Sequence, residues 1–312
     1  MDFATIVGFA PGILASALRI ATPIALAAYS GVLCERAGVV NIAIEGLMLT
    51  AAMVGDFTML YTGSVWLGVV AGVTSAGLLA LVHAALSITF KTDQIISGTA
   101  INIFAIGLTG FFYRRFLATP TLERPSPSTL QPWNIPLLKD IPVLGNVLFQ
   151  NRPIVYFMLI LTVIIFYTLF YTPWGLRVRA VGEHPKAADT VGINVYKVRY
   201  ISVLLGGLMA GLGGVWFSLE QVGHFDMLMT NGKGFIGLAA MIFGKWNPLG
   251  ALGAALIFGL PEAVQINLGL YFPDIPYQFL SMIPYLLTII ILTGVVGRAI
   301  PPAADGQPYE KG

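Results

Sequence analysis

The residues of this chain that could do chemistry are polar side chains set inside long apolar segments. Asn41 and Glu45 stand four residues apart in one such segment, a spacing that places both on one face of a helix. Asn102 lies in another apolar segment. An ionisable group in hydrocarbon costs roughly 2.5 kcal/mol or more and usually faces a protein interior or a wet cavity. These residues therefore suit a polar path through a membrane; the alternative is structural, with Glu45 holding a helix break or pairing with Arg19.

Other patterns that could carry chemistry lack their structural context. The sequence GKGFIG at 232–237 fits G-x-G-x-x-G, but no β-strand pattern precedes it, so it does not predict a dinucleotide site. The chain contains no G-x-x-x-x-G-K-[ST] phosphate loop, and its three histidines show no metal-ligand spacing. Glu262, Gln265 and Asn267, near the end of a late apolar segment, favour a position at the lipid headgroups. The sequence thus predicts no catalytic residue, metal or cofactor on this chain.

Composition defines the class of protein. Hydrophobic residues make up 56% of the 312 residues and charged residues 10%, with a mean hydropathy of +0.81. A soluble domain is usually about 25% charged. The net charge of +2 is too small to indicate a nucleic-acid partner. The sequence predicts one all-α, polytopic membrane domain over residues 1–312, embedded in a lipid bilayer.

About 20 mostly apolar residues are needed to cross a bilayer, and this length predicts about nine helices, with a range of roughly eight to ten. The predicted segments are 9–34, 39–60, 64–90, 95–117, 153–171, 198–219, 234–245, 249–268 and 279–297. The segment 234–245 is too short to cross alone and is predicted to be re-entrant. Glycines interrupt the chain around 38–46 and 231–237, where broken helices could line a path.

Two polar loops separate the apolar segments. Residues 118–152 contain six prolines, which predicts an extended loop with at most a short helix. Residues 172–199 concentrate the charge of the chain. Lys and Arg are more numerous on the side of this second loop, which places it and the C-terminus in the cytoplasm and the 118–152 loop outside.

Three blocks of sequence together carry a resemblance to a known family. They are ERAGVVNIAIEGLM (35–48), GEHPKAA (182–188) followed by GIN (192–194), and GKGF (232–235) leading to LAA (238–240). In this order and spacing they resemble the permease subunits of bacterial ABC importers for simple sugars, nucleosides and branched-chain amino acids. The first block is most similar to the nucleoside-type branch.

The resemblance implies a role for the charged loop. In such permeases a short cytoplasmic coupling helix seats in a groove of the ATP-binding subunit. The positions of this chain that match it are Glu183, His184, Pro185, Ala187, Ala188 and Gly192. Pro185 suits a first helical turn and Gly192 suits a helix end, so the local sequence agrees with the resemblance.

The resemblance also implies partners and a location. We expect an ATP-binding subunit that holds ATP and Mg, a second and different permease subunit, and an extracytoplasmic substrate-binding protein, all at the bacterial inner membrane. The chain would supply half of the path for a nucleoside. A simple sugar or a branched-chain amino acid remains an alternative substrate. A self-sufficient secondary transporter that uses Glu45 is the alternative class.

Overall fold

The computed structural model describes residues 3–117, 126, 128–136, 138–271, 276–295 and 299–311. Its helices, in chain order, are α1 (Phe3–Glu35), α2 (Ile44–Thr62), α3 (Val65–Ala84), α4 (Gln94–Phe112), α5 (Leu144–Leu148), α6 (Pro153–Tyr171), α7 (Pro173–Glu183), α8 (Pro185–Thr190), α9 (Val195–Val215), α10 (Lys233–Phe243), α11 (Pro248–Tyr271) and α12 (Tyr277–Val295). Helices α3, α4 and α9 each continue into a π-helical turn, at Ala85–Thr89, Tyr113–Leu117 and Trp216–Val222 respectively. Two short strands, β1 (Trp133–Asn134) and β2 (Gln150–Asn151), pair antiparallel.

Local sequence explains where many helices begin. Pro153, Pro173 and Pro185 occupy the first turns of α6, α7 and α8, where a missing N–H costs nothing. The Asp93 carboxylate accepts hydrogen bonds from the N–H groups of Ile95 and Ile96 and so caps α4. Two of these helices, α4 and α6, begin within one residue of the predicted starts of apolar segments.

The all-α membrane architecture expected from the sequence is confirmed. Seven helices in the described part of the chain are long and apolar enough to span a bilayer. Each of the nine predicted segments corresponds to a helix, and α10, with 11 residues, is only about 16 Å long. The number of helices that actually cross the bilayer stays a prediction. Within the described part of 118–152, the structure contains β1, the five-residue α5 and β2.

The core of the bundle is built around α1, α2, α3 and α9. Residues 24–29 of α1 are fully buried, which is possible for a helix that other helices surround. Small residues allow the close approach: Gly214 of α9 lies against the backbone of Met48, and Gly72 of α3 lies against that of Ala51. A side chain at either glycine would collide with the neighbouring helix, so these positions fix the packing of α2.

The two polar loops lie at opposite ends of the bundle. At one end the N–H of Ala304 donates to the carbonyl of Gly182 at 2.8 Å, so the C-terminal tail (residues 299–311) and the 172–199 loop share a face. At the other end the N–H of Leu130 donates to the carbonyl of Leu219, in the π-helical turn that follows α9, at 2.8 Å. The side of the membrane on which each loop lies stays a prediction.

The absolute orientation can be tested by cysteine labelling. Cys34 is fully buried and is the sole cysteine of the sequence, so background labelling is expected to be low. Ser126→Cys should react with an impermeant maleimide in intact cells, and Lys311→Cys should react only after permeabilisation, because both residues are exposed and lie on opposite faces. Labelling of Lys311→Cys in intact cells, with Ser126→Cys protected, would contradict the orientation.

Candidate translocation path and coupling loop

The chain is not helical between α1 and α2, and residues 36–43 form a break. Gly38 has φ +81°, a left-handed conformation that ends helical continuity and favours glycine. The Asn41 side-chain oxygen accepts a hydrogen bond from the N–H of Ala43 at 3.1 Å. This local bond competes with a helix, so α2 begins only at Ile44. The prediction that Asn41 and Glu45 share one helical face is therefore wrong, whereas the predicted interruption of the helix around 38–46 is confirmed.

Asn102 of α4 holds the far side of this break. Its amide nitrogen donates to the carbonyl of Ile42 at 2.9 Å, and its oxygen accepts from the N–H of Gly46 at 2.8 Å. Both groups belong to backbone that has no helical partner at the start of α2. In a membrane such groups must be satisfied within the protein, and Asn102 does this for two of them.

Two further side chains are hydrogen-bond partners of the Val40 N–H and carbonyl groups, and sequence reasoning did not identify them. The Val40 N–H donates to the Gln94 side-chain oxygen at 2.7 Å, and the Val40 carbonyl lies 3.0 Å from Nε2 of His83. His83 is fully buried in α3 and Gln94 begins α4. The sequence did offer a signal for this contact, because His83 is a polar residue in the last turn of one apolar helix and Gln94 is the first residue of the next.

Glu45 joins this break to a second one, which precedes α10. Its Oε1 accepts hydrogen bonds from the Thr230 hydroxyl at 2.6 Å and from the Gly232 N–H at 2.8 Å. Its Oε2 accepts from the Gly234 N–H at 2.7 Å. Glu45 lies in the first turn of α2, and Gly232 and Gly234 begin α10, so one carboxylate stands at the positive ends of two helices.

The three predicted pathway residues therefore meet at the two breaks. Asn41, Glu45 and Asn102 have at most 7% of their surface exposed, and each contacts backbone or side chains of this chain. The geometry favours the structural alternative in which Glu45 holds a helix break. It excludes the pairing of Glu45 with Arg19, whose guanidinium instead donates to the side chain of Asn151. Contact of these residues with substrate stays a prediction.

A partly exposed ion pair lies beside this junction. Lys233, the first residue of α10, pairs with the carboxylate of Glu262 in α11. Asn267 is buried and donates to the carbonyl of Ala263 at 2.8 Å. Glu262 is 31% exposed, and the Asn267 bond lies within its own helix. A position of Glu262, Gln265 and Asn267 at the lipid headgroups stays a prediction.

Removing the Glu45 carboxylate should destabilise the protein. Glu45→Ala leaves the N–H groups of Gly232 and Gly234 without acceptors, and we expect the free energy of unfolding to fall by about 2–4 kcal/mol. Thr230→Val removes one of the three bonds and should cost about 1 kcal/mol. Thermal unfolding of the detergent-solubilised protein measures both. If Glu45→Ala kept the wild-type midpoint but abolished uptake, the residue would belong to the substrate path instead.

The 172–199 loop folds into two short helices, α7 and α8. His184 precedes α8, Pro185 occupies its first turn, and Gly192 ends it with φ +85°. The predicted helix start and the predicted helix end are both confirmed. Glu183, at the end of α7, accepts a hydrogen bond from the N–H of Ala303 in the C-terminal tail at 3.1 Å.

The two alanines of α8 face opposite ways. Ala188 is 4% exposed and packs in the hydrophobic core, so the expectation that it is free to dock against another subunit is wrong. Ala187 is exposed. Val191, just after α8, is 75% exposed, and sequence reasoning missed it although an apolar residue in a charged loop was visible. Lys186, Ala187 and Val191 thus mark the outward face of α8.

Acidic groups meet where the tail covers the end of α1. Glu35 is 6% exposed and accepts a hydrogen bond from the Trp246 ring nitrogen at 2.6 Å. Its carboxyl group lies close to that of Asp305 in the tail. Burial raises the pKa of Asp305, while the interaction with the neighbouring Glu35 carboxyl and the Arg199 guanidinium act against this rise. The tail is thus attached by buried polar groups.

A bundle of apolar helices with two breaks at its centre and a helical loop on one face is the architecture of a membrane permease. The chain belongs to the family described as the branched-chain amino acid transport system permease component, whose model matches residues 13–292. The family resemblance expected from the sequence blocks is confirmed, and with it the classification as a transport subunit of an ABC importer.

Relatives match over nearly the whole chain. The guanosine ABC transporter permease protein NupQ of Bacillus subtilis is 45% identical, with 96% of this chain and 97% of that protein covered. The nucleoside ABC transporter permease protein NupC of Lactococcus lactis is 39% identical, with 96% of each covered. The putative glucose ABC transporter permease protein TsgC13 of Haloferax volcanii is 34% identical, with 97% and 98% covered. No solved structure matches significantly.

Proposed function

We propose that this chain is the permease subunit of an ATP-driven importer of nucleosides. The observation that carries the proposal is the full-length similarity to two nucleoside permeases, at 45% and 39% identity. The 34% identical glucose-type relative keeps a simple sugar as the second candidate substrate. We place the C-terminus and α8 in the cytoplasm, in agreement with the Lys and Arg distribution.

The partners follow from what this chain lacks in its sequence. It contains no phosphate-loop motif, so ATP and Mg are held by a separate ATP-binding subunit. We propose that the exposed face of α8 docks on that subunit, with Ala187 and Val191 at the contact. A second permease subunit completes the path, and an extracytoplasmic binding protein delivers the nucleoside to the opposite face.

The two breaks supply a mechanism for alternating access. Breaks in helices leave backbone groups that need partners, and side chains provide several of them here. Asn41, His83, Gln94 and Asn102 do so at the first break and Glu45 at the second. We propose that movement of α8 on ATP binding shifts the first break relative to the second, and so exposes the path first to one side of the membrane and then to the other.

Uptake by the reconstituted complex tests the function. Proteoliposomes contain this chain, its second permease and the ATP-binding subunit, with ATP enclosed in the lumen and binding protein added outside. Complexes inserted right side out should then accumulate labelled guanosine or uridine in the lumen. Glucose and leucine should not compete. Competition by glucose would favour the sugar alternative. Nucleoside uptake driven by an ion gradient without the ATP-binding subunit would contradict an ABC importer.

Variants of α8 test the docking face. Ala187→Trp and Val191→Glu alter exposed positions, and we expect both to lower the amount of ATP-binding subunit that co-purifies while thermal stability is unchanged. Ala188→Trp overfills a buried site and should instead destabilise the permease by about 1–3 kcal/mol. Lys139→Ala, at an exposed position on the opposite face of the bundle, is the matched control. Full co-purification and transport by both Ala187→Trp and Val191→Glu would refute the coupling role.

A further inference from the structure

We propose that the C-terminal tail, residues 299–311, links the coupling loop to the break between α1 and α2 and so positions that break when α8 moves. This inference rests on the proposed function, since it assigns a part in ATP-driven transport to residues that neither bind ATP nor line the path. Arg199 of α9 is the central positioning residue.

Arg199 connects the break to the tail. It is 1% exposed, and its planar guanidinium donates to two carbonyls that are far apart in sequence. Nε donates to the Ala37 carbonyl at 3.1 Å, and Nη1 donates to the Gln307 carbonyl at 2.9 Å. One rigid group therefore fixes the distance between the first residues of the break and the middle of the tail.

Gly38 lies where the tail crosses the break. A Cβ at this position would lie 2.9 Å from Nη2 of Arg199 and 3.0 Å from the carbonyl oxygen of Ala304. Residues other than glycine also rarely adopt its φ of +81°. The break and the tail thus pack against each other without space for a side chain between them, and displacement of one requires displacement of the other.

The other side of the tail contacts the coupling loop. The N–H groups of Ala304 and Ala303 donate to the carbonyl of Gly182 at 2.8 Å and to the carboxylate of Glu183 at 3.1 Å. The Tyr309 side chain, 4% exposed, lies beside the carboxylate of Asp189 of α8. The tail therefore reaches both α7 and α8.

Buried contacts, rather than surface charge, hold the tail. Tyr309 packs edge-on against Tyr196 of α9, with ring centroids 5.4 Å apart. The carboxyl group of Asp305 meets that of Glu35 at the end of α1. The ion pair of Lys91 with Glu310, at 2.8 Å, is exposed and contributes little. The tail is thus inserted among α1, α8 and α9, the three elements whose relative positions the transport cycle would change.

The experiment measures coupling in the complete transporter. A chain that ends at Ile300 is assembled with its second permease, ATP-binding subunit and binding protein, and nucleoside uptake and ATP hydrolysis are measured in the same proteoliposomes. The outward face of α8 is intact, so the ATP-binding subunit should still co-purify and hydrolyse ATP. The number of nucleosides transported per ATP should fall about fivefold or more, the lower end of typical coupling between sites.

Point variants separate positioning from folding. Tyr309→Phe removes only the hydroxyl that lies beside Asp189 and should lower the transport ratio while the thermal midpoint stays near that of the wild type. Gly38→Ala should lower the ratio more, because it forces the tail and the break apart. Lys311→Ala, at an exposed position of the same tail, is the control and should behave as the wild type.

The outcomes are distinct. A wild-type complex that transports no nucleoside would refute the proposed function but not the linkage. The effect of the truncation on the ratio of transport to ATP hydrolysis would then be seen with the substrate that the complex does transport. A truncated complex with the wild-type ratio of transport to ATP hydrolysis would overturn the linkage and leave the function intact. If the truncated chain did not assemble, Tyr309→Phe would decide: an unchanged ratio in that variant would also overturn the linkage.

Discussion

The carboxylate of Glu45 holds two helix starts together inside the membrane, and the rest of the structure depends on this contact. It accepts three hydrogen bonds from the segment that begins α10 while itself beginning α2. Hydrocarbon offers no partner for unpaired backbone groups, so a broken helix is stable there only where side chains replace the missing bonds. Asn102 and Gln94 do so for the first break, and Glu45 does so for the second.

This arrangement leaves the bundle with one rigid part and one adjustable part. The close packing of α3 and α9 through residues without side chains leaves little room for movement. The breaks are different, because each is held by a few hydrogen bonds that can be exchanged at modest cost. A membrane protein that must open alternately to two sides can use such points as hinges. Arg199 and the C-terminal tail connect the first break to the 172–199 loop, which is the loop we propose to dock on the ATP-binding subunit.

Local patterns were sufficient to predict most of the helices. Apolar length identified all nine segments, and Pro185 and Gly192 correctly bounded α8. What the sequence could not reveal depends on contacts between distant residues. Arg199 bonds to carbonyls 162 and 108 positions away, and neither partner is distinguished by its residue type. Likewise, Ala187 and Ala188 are neighbouring residues of the same type, so the sequence cannot tell which of them is exposed. Their packing in the structure shows that Ala187 is exposed and Ala188 is buried.

Hydrogen exchange in the assembled transporter tests the central claim most directly. The amides of Val40 and Ala43, both bonded to side chains in this structure, report on the first break. We predict that ATP binding changes exchange in 36–43 together with exchange in α8 and the C-terminal tail, while α3 and the core of α9 stay protected. Exchange that changed in α8 and left 36–43 unaltered would contradict the account, because the break would then not follow the coupling loop.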